Sequence, residues 1–338
     1  MPMSNENRQV LLKSRLAGVP QSEHFEIATA PLPELREGQV LVRNQFLSVE
    51  PAMRGWVSAV ANYSTPVGIG EVMRSFAAGT VIASKHAQYA ESDRVMGMFG
   101  WQDYAAVGAS AITRKVKESD LPLSLSLGVL GLNGVTAYFA LLDVGRPRPG
   151  DTVVVSTAAG SVGSAVGQIA KIAGCRTVGI AGGPVKTKLC GEAFGYDAAI
   201  DYKQPGLAEA LTAACPRGVN VYFDNTAGPI SDDVMPQLAL NARVVICGTA
   251  SVASWDPPPM GPRVERHLLV KRAQMGGFIV FDYAHRYDEA VTQLAVWIRE
   301  GRLAYREDIL DGIEACPDAI ASLYRGENLG KRLVRLHA

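Results

Sequence analysis

The second half of the chain carries a succession of short apolar runs, and these limit the fold more than any other feature. They are TVVV (152–155), TVGIAG (177–182), AAIDY (198–202), VNVYFDN (219–225) and ARVVICGT (242–249), separated by helical or loop sequence. A strand with one wet face alternates apolar and polar residues, whereas a run that is apolar throughout must be covered on both faces. Such runs alternating with helices predict a parallel sheet with helices above and below it, a doubly wound α/β domain. After the first run, glycines lead into a helix whose apolar residues Val162, Val166, Ile169 and Ile172 or Ala173 recur at spacings of three and four.

Residues 8–120 have a different texture. Segments such as GQVLVRNQFLSV and AGTVIAS, punctuated by Gly and Pro, predict β-rich structure with few long helices. At 338 residues the chain suits two domains better than a single core. Its 33 basic and 33 acidic side chains cancel, so no electrostatic footprint for nucleic acid or membrane is present, and a small-molecule partner is expected. The uncharged run 121–142 is long enough to cross a bilayer. It is broken by Pro122, Gly128, Gly131, Asn133 and Gly134 and lacks basic anchors, which predicts buried structure in a globular protein. The opening MPMSNENRQV has no apolar core of a secretory signal, and the five cysteines form no C-x-x-C pair. A cytoplasmic protein without disulfides is the expectation.

The turn after the first apolar run, AAGSVG (158–163), is a dinucleotide fingerprint without its first glycine. In a doubly wound domain this turn offers backbone N–H groups and the positive end of a helix to a pyrophosphate. Gly160 lets the backbone approach the phosphates and Gly163 lets the helix pack on its strand. Ala158 must take over the tight turn with a negative φ. About twenty residues further on, an NAD site carries an acid for the ribose 2′-hydroxyl. Here the stretch is GIAGGPVKTK, with no carboxylate and with Lys186 and Lys188 following. A 2′-phosphate would find room and countercharge, so the cofactor expected is NADP(H).

Other segments are jointly specific: LSVEPAMRG (47–55), GVTAYFALLDV (134–144), VYFDNTAG (221–228), ICGTAS (246–251), GFIVFDY (277–283) and GENLGK (326–331). Through them and AAGSVGSAVGQIAKIAGC the chain resembles the medium-chain dehydrogenase/reductase superfamily, in its zinc-free prostaglandin reductase, alkenal reductase and curcumin reductase branch. The resemblance implies an α/β protein with a GroES-like β-rich catalytic domain (1–130 and 302–338) and a Rossmann doubly wound parallel-sheet domain (131–301). It would place Gly160, Ser161, Val162 and Gly163 at the pyrophosphate, and Lys186 and Tyr202 at the 2′-phosphate. Thr136, Asn225, Cys247, Gly248, Thr249 and Ser251 would lie along the cofactor, with Phe278, Ile279, Val280 and Asn328 near the nicotinamide. Met53, Tyr63 and Phe278 would line the substrate pocket, and a homodimer would form through the Rossmann domain. Two departures stand out. The branch has D-P-Y-M-R where this chain has Glu50 to Arg54 with Ala52, and the tyrosine that precedes the GF segment in eukaryotic members is Val270 here. Bacterial-type members instead carry an aromatic motif similar to NYSTPVGIGEVM, which contains Tyr63.

The chemistry is narrowed by what is missing. No cysteine precedes Cys175, and His24, His86, His267, His285 and His337 stand singly, so neither a catalytic nor a structural zinc set can be composed and no metal is expected. No Tyr is followed four residues later by Lys, and neither a G-x-S-x-G elbow nor a Walker loop is present. Hydride transfer without zinc suits an acceptor carbon that is already activated, as in an enal, an enone or a quinone. The expected reaction is hydride delivery from NADPH to the β-carbon of an α,β-unsaturated carbonyl, with Tyr63 either donating to the carbonyl oxygen or walling the pocket. The competing readings are a quinone reductase and a non-enzymatic NADPH-binding sensor or crystallin-like protein. A zinc alcohol dehydrogenase is a distant further reading.

Overall fold

The computed structural model describes residues 6–15, 18–59, 64–252, 257 and 259–336. It divides into two compact units, residues 1–128 with 307–338, and residues 129–306. The first unit opens with an antiparallel pair, β1 (Glu6–Leu12) and β2 (Phe25–Pro31). There follow β3 (Gln39–Ser48), the short helix α1 (Met53–Trp56), β4 (Phe76–Ser84), β5 (Arg94–Met98), β6 (Tyr104–Gly108) and β7 (Ile112–Lys115). The long β3 serves several neighbours: it pairs with β4 along most of its length and with β6 through its first half. Val40, Val42, Leu47, Val81, Met96 and Trp101 are buried in this unit, each contributing roughly 1.5–3 kcal/mol of hydrophobic stabilisation. Trp101 also donates its indole N–H to the Ser48 carbonyl at 3.0 Å, so its one polar atom is satisfied in the core.

The second unit begins with α2 (Leu132–Phe139), which continues into a π-helical turn, Ala140–Gly145. The uncharged run 121–142 is mostly buried, and among the described residues no helix is long and apolar enough to cross a membrane. Next come β8 (Thr152–Ser156), α3 (Ser161–Ile172), β9 (Arg176–Ala181), α4 (Pro184–Glu192), β10 (Ala198–Asp201), α5 (Leu207–Ala214) and β11 (Val219–Asp224). The unit closes with α6 (Gly228–Val234), β12 (Leu238–Ile246), α7 (Glu265–Lys271), β13 (Gln274–Gly277) and α8 (Tyr287–Arg299). The strands form one parallel sheet in the order β10-β9-β8-β11-β12-β13. The doubly wound fold expected from the apolar runs is present, and the five runs coincide with β8 to β12. The sixth strand, β13, reads QMGG and is largely exposed at the sheet edge, so no apolar run announces it.

Helix α3 differs from a simple amphipathic stripe. Val166 and Ile169 are buried as expected, but Val162 and Ile172 are only partly so, and every residue from 163 to 170 is buried. The helix lies against both the sheet and α2, and the small residues Gly163, Ala165, Gly167 and Ala170 permit that double contact.

The tail supplies β14 (Glu307–Asp311), α9 (Cys316–Tyr324) and β15 (Lys331–Arg335) to the first unit. β15 pairs parallel with β14 and antiparallel with the end of β3. Lys331 is buried there with its Nζ 2.6 Å from Glu50 Oε1 and 3.1 Å from the Val49 carbonyl. Ser48 Oγ donates to the same Glu50 oxygen at 2.7 Å. Such a pair adds little net stability, but removing one partner would strand a buried charge at a cost of about 3–5 kcal/mol. The Glu50 that departs from the branch pattern thus anchors the returning tail strand.

Candidate cofactor and active site

In the second unit the strand order reverses between β8 and β11, with β9 and β10 to one side and β12 and β13 to the other. Open α/β sheets bind ligands in the crevice beyond the carboxyl ends of two such strands.

The turn leaving β8 passes through Thr157 at φ 54°, while Ala158 stays outside the left-handed region, as the missing glycine requires. A β-branched residue at positive φ costs on the order of 1–3 kcal/mol. The turn is held by Ala158 N–H to the Ile180 carbonyl at 3.0 Å and by Gly160 N–H to the Thr157 carbonyl at 2.9 Å. Gly160 is the N-cap of α3. No side chain caps the helix and no acid lies in its first turn. The N–H groups of Ser161, Val162 and Gly163 therefore lack intrahelical acceptors and point the positive helix end outward. A Cβ on Gly163 would lie 2.3 Å from the Thr157 carbonyl oxygen and 2.9 Å from Ala158 Cα, so only glycine allows this approach of helix to turn. Tyr196 fixes the same point from behind, donating to the Gly163 carbonyl at 2.7 Å. These features fit a bound diphosphate.

The end of β9 leads into the N-terminus of a second helix. Gly183 caps α4, Pro184 starts it, and its first turn has no acid. Lys186 is half-buried in that first turn. Tyr202 is 42% exposed and its ring packs over Gly182, where a Cβ would come within 2.9 Å of it. Asp201, which the sequence reading passed over, accepts from Gly183 N–H at 2.7 Å and Lys203 N–H at 3.0 Å. The Gly183 contact holds its carboxyl below the ordinary range. Its position directly before Tyr202 was the available signal.

Two turns beyond β11 and β12 are bonded to each other. Asn225 donates Nδ2 to the Ser156 carbonyl at 2.7 Å and its backbone N–H to Ser156 Oγ at 2.8 Å. Since a carbonyl only accepts, this fixes the amide orientation and leaves Oδ1 without a donor from the described residues. Cys247 and Gly248 donate backbone N–H groups to the Asp224 carbonyl at 2.8 and 3.1 Å. Ser251 Oγ donates to the Thr226 and Ala227 carbonyls at 2.7 and 2.9 Å. Thr249 joins the turn by accepting from Val252 N–H at 3.0 Å. The Cys247 thiol is pushed up to about 12 by desolvation, with the charge of Asp224 adding to it. The thiol therefore stays protonated at neutral pH.

Residues 8–115 match the family described as the N-terminal domain of oxidoreductase, and residues 161–296 the family described as zinc-binding dehydrogenase. An NADPH-dependent curcumin reductase of Escherichia coli is 40% identical over 98% of this chain and 97% of its own. The chain belongs to the medium-chain dehydrogenase/reductase family, in its zinc-independent branch. Within that family a 2-alkenal reductase (NADP(+)-dependent) of Nicotiana tabacum is 35% identical over 97% of each chain. The crystal structure of CurA from Vibrio vulnificus in complex with NADPH superposes with a TM-score of 0.91 at 41% identity, covering 98% of this chain and 99% of the other.

The remaining expected site residues of this family member are distributed between the units. In the second unit, Thr136 is half-buried on α2. Phe278 is buried and its backbone N–H donates to the Ile246 carbonyl at 3.0 Å. An aromatic ladder supports it: its ring centroid lies 5.0 Å from that of Tyr283, which stacks on Phe139 at 4.9 Å, with the Arg286 guanidinium 4.4 Å from the Phe139 centroid. Ile279 is 40% exposed, and Val280 accepts from the Tyr287 hydroxyl at 3.2 Å. In the first unit, Met53 has no accessible surface, and Asn328 donates Nδ2 to the Gly330 carbonyl at 2.9 Å. Tyr63 lies outside the described residues. Among the described residues no group of three or more His, Cys, Asp or Glu could hold a metal ion.

Proposed function

We propose that this chain reduces the carbon–carbon double bond of α,β-unsaturated aldehydes and ketones with NADPH and without a metal. The observation that carries the reading is a dinucleotide cradle combined with a donor set that offers no metal-ligand cluster among the described residues. A simple carbonyl must be polarised before it accepts hydride, whereas conjugation already makes the β-carbon of an enone electrophilic. The first-turn N–H groups of Ser161 to Gly163 bind the diphosphate. Lys186 and Tyr202 take the 2′-phosphate. Asn225 and the Cys247–Ser251 turn hold the nicotinamide half, and Phe278, Ile279 and Val280, backed by their aromatic ladder, border it. Bound NADPH supplies the hydride, and one proton at the α-carbon completes the reduction. The Tyr63 hydroxyl donates to the oxygen on which negative charge develops. Tyr63→Phe tests this role: unchanged turnover of an enone would remove Tyr63 as the donor.

The names of the curcumin and 2-alkenal reductases support this substrate class. The deciding experiment follows NADPH oxidation by the wild-type chain across a panel of enals, enones and quinones. Turnover of enals and enones is expected. Turnover of quinones alone would make it a quinone reductase, and tight NADPH binding without turnover of any substrate would make it a binding protein. We also propose a homodimer formed through the second unit. There the edge strand β13 exposes Met275, and Leu269, Val270, Ile279 and Phe281 are exposed nearby in sequence. A monomer on gel filtration would contradict it.

A further inference from the structure

Among the described residues of the second unit, the most densely bonded carboxylate is one to which the proposed function gives no part. Asp224 ends β11 and is 1% exposed, and no Lys, Arg or His among the described residues forms an ion pair with it. Its Oδ1 accepts from Thr226 N–H at 2.9 Å, Ala227 N–H at 2.9 Å, Ser156 Oγ at 3.2 Å and Thr226 Oγ1 at 3.2 Å. Its Oδ2 accepts from Ser231 Oγ, which is also 3.0 Å from the Tyr222 hydroxyl. A buried carboxylate without a cation is costly, and five donors on one group are a large investment for a strand end.

The donors to Oδ1 belong to the crevice, while Ser231 lies on α6. Ser156 ends β8, and the hydroxyl that binds Asp224 also accepts the Asn225 N–H at 2.8 Å. Thr226 and Ala227 form the turn itself, where Ala227 adopts φ 56° and ψ −163°, a conformation that costs an ordinary residue about 1–3 kcal/mol. We infer that Asp224 is a positioning residue that acts through Asn225. Its Oδ1 locks Ser156 and the 225–227 turn so that the Asn225 amide oxygen stays turned out to accept a hydrogen bond from a hydroxyl or amide N–H of the nicotinamide half of the cofactor. β11 lies across β8 from β9 and β10, the strands that lead to Lys186 and Tyr202. The effect is therefore confined to the nicotinamide half and spares the adenine half. This inference rests on the NADPH reading above.

The test measures dissociation constants for NADPH and for adenosine 2′,5′-bisphosphate, a probe of the adenine half alone. Asp224→Ala is expected to weaken NADPH about tenfold, the weight of one hydrogen bond, and to leave the bisphosphate within twofold. Asp224→Asn keeps the oxygen in the Oδ1 position and is expected to restore NADPH binding to within about threefold. Asn225→Ala is expected to match Asp224→Ala, and the double variant to be no weaker than either alone. If Asp224→Ala does not fold, Ser156→Ala, which removes the link between Asp224 and the Asn225 N–H, enters the same cycle with Asn225→Ala. Multiplying effects in the double variant, equal weakening of both ligands, or unchanged NADPH binding in a folded variant would each overturn the inference. Wild-type protein that fails to bind NADPH at all would instead overturn the proposed function.

Discussion

Replacing Gly163 by alanine tests the cofactor cradle with a single methyl group. The new Cβ would stand 2.3 Å from the Thr157 carbonyl oxygen, and ordinary contact begins near 3.4 Å, so helix and turn must separate by about 1 Å. The obstacle is backbone and cannot rotate away. A donor that reaches a phosphate oxygen at about 2.9 Å would then sit near 3.9 Å, beyond hydrogen-bonding range. Losing one or two such bonds to a charged group costs about 2–4 kcal/mol, which raises the NADPH dissociation constant roughly thirty- to several-hundred-fold. The assay is a fluorescence titration of NADPH into wild type and variant, with a thermal melt to show that the variant is folded. Gly191→Ala serves as control, because its Cβ meets nothing within 4 Å. It lies inside α4 and should gain a few tenths to about 1 kcal/mol of stability while binding NADPH as wild type does. A folded Gly163→Ala variant with unchanged affinity would refute the claim that this approach builds the diphosphate site.

Lys186→Ala should raise the KM for NADPH by an order of magnitude or more and leave that for NADH unchanged, and steady-state kinetics with both cofactors will check it. The cysteines should be inert, since desolvation raises Cys175 and Cys215 to about 11 and Cys190 and Cys247 to about 12 and moves Cys316 in the same direction. At pH 8 the thiolate fraction is then about one in a thousand or less. Reaction of the native protein with a disulfide reagent should accelerate about tenfold per pH unit up to pH 11, and a thiol that titrates near pH 8 would contradict this. Glu307 offers a stability test. Burial raises its carboxyl above the ordinary 4.5 despite Ser124 and Lys331, and its Oε1 lacks a partner. The folded state therefore holds this proton more tightly than the unfolded state, and its contribution to stability is present below pH 4.5 and lost as pH rises through the raised value. Glu307→Gln should melt higher than wild type at pH 7, with the difference closing near pH 4. A variant less stable at pH 7 would show that the attraction to Lys331 outweighs the burial of charge.

The sequence made the sheet legible wherever a strand was buried on both faces, because β8 to β12 announce themselves as apolar runs. It did not announce β13, whose Gln274 and Met275 face solvent at an edge and whose glycines carry no periodicity. The cradle was legible in Gly160 and Gly163 and in the absence of an acid near Lys186, since both depend on residue type at fixed spacing. Asp201, Tyr196 and Asp224 were not. Asp201 and Tyr196 act on backbone groups that the fold brings near, Gly183 N–H and the Gly163 carbonyl. Asp224 joins its local bonds to Thr226 and Ala227 to a bond from Ser156 on the neighbouring strand, a pairing that depends on sheet register. Thr157 was missed for a related reason: its left-handed backbone is imposed by the turn and not by its own preference.

The most direct test of the central claim is to follow the hydride itself. The wild-type chain is incubated with an α,β-unsaturated ketone and NADPH carrying deuterium at both C4 positions, and the product is examined by NMR and mass spectrometry. The expected product is a saturated ketone with one deuterium at the β-carbon and a solvent-derived proton at the α-carbon. Deuterium at the carbinol carbon of an allylic alcohol, or an enone left untouched by a chain that oxidises NADPH with a quinone in a parallel incubation, would contradict the claim.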